Sequence, residues 1–189
     1  MRCDRRRSRA DRGQVVQAFA DPGQCCGVHN DALVLTHPRA LMTSTTSEGT
    51  TAHIDADVRD PERIIRDAQH VLDFREPIAI MLMGVLGHVT TDDQLLRIVR
   101  TLMAATPSGS YLALWHGTDS RRYAAMCDLY AQSGAAPLVP RPRDRIAAVF
   151  GGLELLTPGC VSITRWRPPP AEVGAARAVS AWGGVARKP

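Results

Sequence analysis

The sequence lacks any long apolar run. Among its 189 residues no stretch approaches the roughly 18 apolar residues that a membrane span requires. The N-terminus is rich in arginine, but it is not followed by the apolar segment of a secretory signal. A cytoplasmic protein with no membrane span is therefore expected.

The sequence also lacks the motifs of several enzyme classes. The five cysteines are odd in number and show no C-x-x-C spacing, and adjacent Cys25 and Cys26 are poorly placed to bridge each other or to chelate one zinc ion. Reduced, mostly buried thiols and no metal site are expected. Phosphate-binding P-loop, H-E-x-x-H, G-x-S-x-G and EF-hand patterns are absent. This argues against metal-dependent, nucleotide-hydrolysing and serine-hydrolase chemistry.

The positive charge is concentrated at one end of the chain. The formal net charge is +4, and six arginines crowd positions 2–12. No aromatic residues interleave with these arginines, and no recognition-helix pattern follows them. A solvated tail is therefore favoured over a nucleic-acid-binding arm, and nucleic acid is not an expected partner.

Residues 1–27 show no convincing hydrophobic period, whereas residues 28–189 alternate between strand and helix patterns. Asp60 before Pro61, and the capping box that begins at Thr91, mark two helix starts. Residues 78–86 are apolar on both alternating faces, which predicts a strand covered on both sides. We therefore divide the chain into a basic, disordered or non-native segment, 1–27, and one domain, 28–189.

The order of these elements predicts an α/β fold with a mostly parallel sheet. Residues 153–156 and 161–164 flank a Pro158-Gly159 turn, which predicts an antiparallel addition at the C-terminal edge. Ligands of such sheets bind outside the carboxyl ends of the strands. That rule directs attention to four places, residues 29–31, 55–58, 83–88 and 115–117.

Those places carry a family resemblance. Six blocks, in matching order and spacing from about residue 28 to the end, are similar to the S-adenosylmethionine-dependent methyltransferases common in actinobacteria, whose substrates are largely unknown. The blocks are residues 53–61, 81–89, 107–112, 152–155, 165–168 and 183–189. The resemblance implies a Rossmann-like class I methyltransferase fold of seven strands with an antiparallel last strand. It also implies S-adenosylmethionine as cofactor and a small-molecule or other methyl acceptor.

The resemblance carries cofactor-binding roles onto particular residues. Asp57 matches the aspartate that accepts from the adenine amino group, and Val58 lies beside it. Gly84, Val85 and Leu86 match the end of the fourth strand, under the methionine part of the cofactor.

Two departures from the family pattern concern the front of the fold. The acidic residue that holds the ribose hydroxyls is replaced by His29, followed by Asn30 and Asp31, and Asp31 could partly substitute for it. The first strand and its glycine-rich turn are missing or degenerate, which suggests a truncated or frame-shifted reading frame. A sheet without that central strand has exposed edges, so marginal stability is expected unless residues 14–20 supply a substitute.

Several readings stay open at this stage. The chain is predicted to be a methyltransferase whose activity is in doubt, and the alternative is a catalytically inactive methyltransferase-like fragment that acts as a binding module or has no function. A nicotinamide enzyme would need the same glycine loop and matches no block. His88 and His116 are candidates for a general base or for structural roles. Trp115 and Trp166 are candidates for a substrate pocket or for packing.

Overall fold

A computed structural model of the chain describes residues 16–20, 24–30 and 50–189. Its strands are β1 (Val16–Ala20), β2 (Gln24–His29), β3 (Thr50–Asp55), β4 (Ile78–Met83), β5 (Tyr111–Gly117), β6 (Glu154–Leu155), β7 (Val161–Ser162) and β8 (Ala181–Arg187). They form one sheet in the order β3-β2-β1-β4-β5-β8-β6, and β7 pairs with β8. The fold is therefore α/β with a mixed sheet, as predicted.

Four helices accompany the sheet within the described residues. They are α1 (Pro61–Ala68), α2 (Asp92–Ala105), α3 (Arg121–Gln132) and α4 (Arg143–Ala148). Short 3-10 turns cover Val85–His88, Ile163–Arg165 and Pro170–Glu172. The two predicted helix starts are confirmed. The Asp60 side chain accepts a hydrogen bond from the Arg63 amide, and the Thr91 side chain accepts one from the Gln94 amide.

Strand β1 fills the central position of the sheet, but it runs in the reverse direction. β2 is parallel to β3 and β4 is parallel to β5, whereas β1 is antiparallel to both of its neighbours, β2 and β4. Only three residues separate Ala20 from Gln24. A parallel pair needs a crossover of a dozen or more residues, so this short connection permits only an antiparallel pair. The first strand is thus neither absent nor oriented as in the family pattern.

The sheet begins before the domain boundary that the sequence analysis places at residue 28. Residues 16–20 and 24–27 are part of β1 and β2. Glycine, glutamine and alanine contribute little strand propensity, which explains why the pattern was not recognised. The assignment of residues 1–15 to a separate basic segment stays a prediction, because those residues lie outside the described ones.

The described elements cover one face of the sheet more completely than the other. Along β4, Ile78, Ile80 and Leu82 are buried in one cluster with side chains of α1 and α2. The alternate residues of β4 are only half-buried or exposed. The prediction of a strand covered on both sides is therefore not met within the described residues. The apolar segment also turns out of the sheet at Gly84, so the strand ends at Met83.

The C-terminal edge is antiparallel, as predicted, but its pairing differs. β8 runs antiparallel to β5 along seven residue pairs. The two short strands β6 and β7 both pair with β8, so they do not form the hairpin predicted around Pro158 and Gly159. β8, with seven residues, offers β6 and β7 more backbone hydrogen-bond partners than these two-residue strands could offer each other.

Candidate functional site

The candidate site lies at the carboxyl edge of the sheet. β2, β3, β4 and β5 run in the same direction, so His29, Asp55, Met83 and Gly117 all end strands at this edge. The pairing of His29 with Asp55 places the segments after β2 and β3 side by side. Asn30 and Asp57 belong to those segments. Asp31 lies outside the described residues.

The Asp57 carboxylate is the best-defined polar group of the site. Its Oδ1 accepts from the backbone amide and Nε of Arg59, each at 2.8 Å, and its Oδ2 accepts from Nη2 of Arg59. Burial raises the pKa of Asp57, but the hydrogen bonds from Arg59, its charge and a hydrogen bond from the Asn30 side chain outweigh burial and lower that pKa. The group is therefore a charged acceptor at neutral pH. The following residue, Val58, is buried.

The side-chain amide of Asn30 is only partly hydrogen-bonded within the described residues. Its side chain forms a hydrogen bond with Asp57, while its Oδ1 is buried and has no hydrogen-bond partner among the described residues. Leaving a buried carbonyl oxygen unpaired costs about 1–3 kcal/mol. An acceptor in this position, just after β2, suits a hydroxyl group of a bound ligand.

The position predicted for ribose binding is taken by an imidazole. His29 is buried, with 6% of its surface exposed, and its ring centroid lies 5.7 Å from that of His53 on β3. Gly27 makes room for both rings, because a Cβ there would lie 3.1 Å from Nδ1 of His53 and 3.2 Å from Nε2 of His29. His53 was missed by the sequence analysis as a neighbour of this position.

Gly84 ends β4 in a left-handed conformation with φ +77°. The Trp115 ring lies directly over it, since a Cβ at Gly84 would lie 2.5 Å from Cη2 of that ring. The Gly84 amide also donates to the Trp115 carbonyl at 3.1 Å. Both the conformation and the contact require glycine here. Val85 and Leu86 follow in the 3-10 turn and are buried, so this segment presents mainly backbone to the edge.

Arg141 holds that segment in place, and the sequence analysis missed it. Its side chain is 3% exposed. Nε donates to Asp92 at 2.7 Å, Nη2 donates to the Val89 carbonyl at 2.7 Å, and Nη1 donates to the Leu86 carbonyl at 3.3 Å. No local pattern could have identified it, because its partners lie about fifty residues away in the sequence.

His116 is a partner of Arg141 rather than an available base. Nη1 of Arg141 lies 2.8 Å from Nε2 of His116, and Nδ1 of His116 lies 2.9 Å from the Gly117 carbonyl. This arrangement assigns the proton to Nδ1 and makes Nε2 the acceptor. Burial lowers the pKa of His116, and the Arg141 charge lowers it further. His88, the other candidate base, is half-buried, and its Nδ1 lies 3.2 Å from the Pro137 carbonyl.

The four cysteines among the described residues are free thiols that are buried or half-buried. Cys26 and Cys127 are buried, and Cys25 and Cys160 are half-buried. Burial, with a smaller contribution from Cys25, raises the pKa of Cys26 to about 11. In the part of the chain that the structure describes, no group of three His, Cys, Asp or Glu side chains could hold a metal ion. No described helix is long and apolar enough to span a membrane.

Comparison with known proteins identifies the family. A sequence model of the S-adenosyl methyltransferases matches residues 10–189. No protein of curated function matches the chain in sequence.

Solved structures agree with this assignment. A DUF574 family protein from Streptomyces avermitilis is 34% identical, with a TM-score of 0.80 over 88% of this chain and 65% of that chain. A protein from Thermobifida fusca that is assigned as a methyltransferase is 31% identical, with a TM-score of 0.75 over 86% of this chain and 62% of that chain. The chain thus spans less than two thirds of the length of either relative.

More distant structures share the fold alone. Magnesium protoporphyrin IX methyltransferase from Synechocystis, solved with bound S-adenosylhomocysteine, is 10% identical with a TM-score of 0.53. The order of the strands, the Asp57 carboxylate at the edge and the match along residues 10–189 lead to one assignment. The chain belongs to the S-adenosyl methyltransferase family, whose cofactor is S-adenosylmethionine.

Proposed function

We propose that this chain is an S-adenosylmethionine-dependent methyltransferase with weakened cofactor binding. The observation that carries the proposal is the pair formed by Asp57 and Asn30 at the carboxyl edge. Asp57 is a charged acceptor next to the buried Val58 in the sequence, and Asn30 has a buried carbonyl oxygen without a hydrogen-bond partner among the described residues. Two acceptors of this kind fit the amino group of adenine and a hydroxyl of ribose.

The residues present fit the cofactor on its adenine and methionine sides. Asp57 and Val58 would hold the adenine, Asn30 would accept from the ribose, and Gly84, Val85 and Leu86 would lie along the methionine part. The Arg59 side chain forms hydrogen bonds with both carboxylate oxygens of Asp57. That side chain is 44% exposed, and exposed ion pairs of this kind contribute only about 0–1 kcal/mol to stability. Displacing it therefore costs little.

The centre of the site differs from the family pattern and accounts for the weakening. Because β1 runs in reverse, its last residue, Ala20, lies at the edge away from Asp57 and Gly84. A glycine turn after β1 therefore cannot approach the cofactor as it does in the family. His29 replaces the ribose carboxylate, and an imidazole offers at most one acceptor.

In the proposed mechanism, the main role of this chain is to position the methyl donor and the acceptor. When bound, S-adenosylmethionine supplies an electrophilic methyl group on a sulfonium. The Gly84 segment, fixed by Arg141 through the Leu86 and Val89 carbonyls, would give the methionine part a rigid backbone surface. Transfer of a methyl group to a good nucleophile needs little beyond such positioning. No general base is assigned, since both ring nitrogens of His116 are already engaged.

A second function is a methyltransferase-like binding module without catalysis. The reversed β1 and the imidazole of His29 favour it. A cytoplasmic location and an unidentified methyl acceptor stay predictions from the sequence.

Calorimetric titration with S-adenosylhomocysteine separates the two functions. We expect saturable binding in the micromolar range for the methyltransferase, and no binding at millimolar ligand for the inactive module. In Asp57→Ala the affinity should fall about tenfold, because a charged acceptor is lost.

Asp73→Ala is the matched control. Asp73 makes the same contacts with Arg75 that Asp57 makes with Arg59, but it lies after α1, away from the site. Equal losses of affinity in both variants would contradict the assignment of Asp57.

A further inference from the structure

A cavity opens at the carboxyl edge of the sheet, between α3 and the segment that leads into β8. Its volume of about 500 Å³ lies within the roughly 300–1,000 Å³ that small-molecule sites occupy. The Thr118 amide donates to the Ser180 carbonyl at 2.9 Å, so one side of the cavity adjoins the end of β5. Its described walls are Arg122, Tyr123 and Met126 of α3 and residues 178–180.

The cavity lies close to the segment predicted to hold the methionine part of the cofactor. The Tyr123 ring packs against Gly117, the last residue of β5, where any side chain would overlap that ring. Trp115, two residues earlier and on the same face of β5, lies over Gly84. Two residues of a strand span about 7 Å. A ligand of that length, held beside Tyr123, would therefore reach the Gly84 segment.

The α3 wall carries a cation without a partner. The guanidinium of Arg122 is exposed and forms no ion pair or hydrogen bond with any described residue. In contrast, Arg59, Arg75 and Arg97 each pair with a carboxylate. No acidic side chain is among the described residues that line the cavity. Its positive charge is therefore not neutralised within the cavity, which favours a negatively charged ligand.

The Tyr123 hydroxyl supplies a second donor on the same wall. It is accessible to solvent and forms no hydrogen bond with any described residue. Burial of the ring, with a smaller contribution from Cys127, raises the pKa of Tyr123, so the hydroxyl keeps its proton at neutral pH. A guanidinium and a hydroxyl together can donate to the two oxygens of one carboxylate. A phosphate dianion would meet only one positive charge here.

The rest of the cavity is mainly apolar. Met126 lies one helical turn after Arg122, and Ala178 and Val179 precede Ser180 on the other side. Met126 and Val179 are 39% and 41% exposed, so they can still bury apolar surface against a ligand. The cavity thus combines one anion-binding wall with apolar surface.

We propose that this cavity binds the methyl acceptor and that the acceptor is a small monocarboxylate with an apolar body. The acceptor role rests on the proposed methyltransferase function. Arg122 and Tyr123 would hold the carboxylate, while Met126 and Val179 would contact the apolar body. In the transfer, a nucleophilic oxygen or nitrogen at the other end of the acceptor would form a bond to the methyl carbon while the carbon–sulfur bond of the sulfonium breaks. The electron pair of that bond stays on sulfur, and the proton of the nucleophile passes to water.

Fluorine NMR with 4-fluorophenylacetate and 4-fluorophenylacetamide tests the cavity without requiring activity. The two probes have nearly the same size, and only the first is charged. We expect the full chain to bind the acid about five- to tenfold more tightly than the amide. In Arg122→Gln this preference should disappear while the amide affinity stays within about twofold, since only the charge is lost. In Tyr123→Phe the preference should fall about two- to threefold, since one neutral donor is lost.

Arg121→Gln is the matched control. Arg121 precedes Arg122 in α3, but it does not line the cavity. The variant removes the same charge from the chain and should keep the preference, and circular dichroism of every variant checks that it is folded. The cavity proposal is wrong if neither probe binds at millimolar concentration, or if both glutamine variants lose the preference equally. Tighter binding of 4-fluorophenyl phosphate than of the acid would overturn the monocarboxylate class.

Titration of the same samples with S-adenosylhomocysteine keeps the two proposals apart. Cofactor binding without acid binding overturns the acceptor cavity and leaves the methyltransferase proposal standing. Acid binding without cofactor binding overturns the acceptor role, because no methyl donor would then be held near the cavity. Competition between the acid and S-adenosylhomocysteine would also overturn it, because the acid would then occupy the cofactor site.

Discussion

At the scale of single residues, a buried cation organises the site. Arg141 brings together Asp92 at the start of α2, the carbonyls of Leu86 and Val89, and His116 of β5. A buried guanidinium is tolerated only when its donors are paired, and here three of its nitrogens have partners. The backbone after β4 is therefore fixed by a residue outside the predicted cofactor-binding set.

His116 gives this cluster a pH dependence. Burial and Arg141 lower its pKa below the ordinary value of 6.5, so the unfolded chain takes up a proton at higher pH than the folded chain does. The stabilisation is thus fully present above about pH 6.5 and is lost as the pH falls through the folded pKa. The largest slope that one histidine can contribute is about 1.4 kcal/mol per pH unit.

We predict that His116→Gln reduces the loss of stability between about pH 7.5 and about pH 5.5, because glutamine keeps an acceptor for Arg141 but does not titrate. Urea unfolding at both pH values measures the difference. His70→Gln, at an exposed position after α1, serves as the control and should behave like the unchanged chain. If His116→Gln loses as much stability as the control, the linkage is wrong.

At the scale of elements, β1 determines whether the sheet is continuous. Each of its residues, Val16 to Ala20, pairs with β2 on one side and with β4 on the other. It thereby closes the gap that the sequence analysis expected between the second and fourth strand positions. Its reverse direction joins the strands but places its last residue, Ala20, beside the first residues of β2 and β4, at the edge away from the cofactor site. The same three-residue connection explains both effects.

We predict that Ala18→Pro unfolds or strongly destabilises the chain. Ala18 faces Cys26 of β2 and Ile80 of β4, and a proline there removes a ladder hydrogen bond in the middle of the sheet. The expected loss is about 3 kcal/mol or more of the free energy of unfolding, measured by urea titration. Ala18→Ser keeps the backbone N–H and should lose much less. Similar stability for the two variants would argue that β1 contributes little to the sheet.

At the scale of the whole molecule, one buried cluster joins the two halves of the sheet. It extends from Val28 on β2 through Ile80 on β4 to Leu112 and Ala186 on β5 and β8. A shared core of this kind makes unfolding cooperative, since neither half retains a complete core without the other. Among the described residues, α1 and α2 pack on the same face as this cluster.

We predict a single unfolding transition for the full chain. The three tryptophans, Trp115, Trp166 and Trp182, report only on the half of the sheet that contains β5 and β8. Far-UV circular dichroism also reports on α1 and α2. The urea midpoints from the two signals should coincide. A fluorescence transition that clearly precedes or follows the loss of helix would show that the two halves unfold separately.

The sequence by itself determined the local structure and the family. Asp60 with Pro61 and the capping box at Thr91 predicted two helix starts, because a cap depends only on residues within one turn. The blocks of resemblance predicted the α/β fold and the methyltransferase family, and both are confirmed. Strand β2 was missed, since its burial comes from neighbours distant in the sequence.

Only the tertiary structure decided how the centre of the site is built. The three-residue connection makes β1 antiparallel to β2, but the insertion of β1 between β2 and β4 depends on long-range pairing, and the role of Arg141 depends on groups about fifty residues away. The same holds for His29 and His53, whose rings become neighbours only after β2 and β3 pair. Short-range patterns record what a residue prefers, whereas packing decides which distant groups it meets.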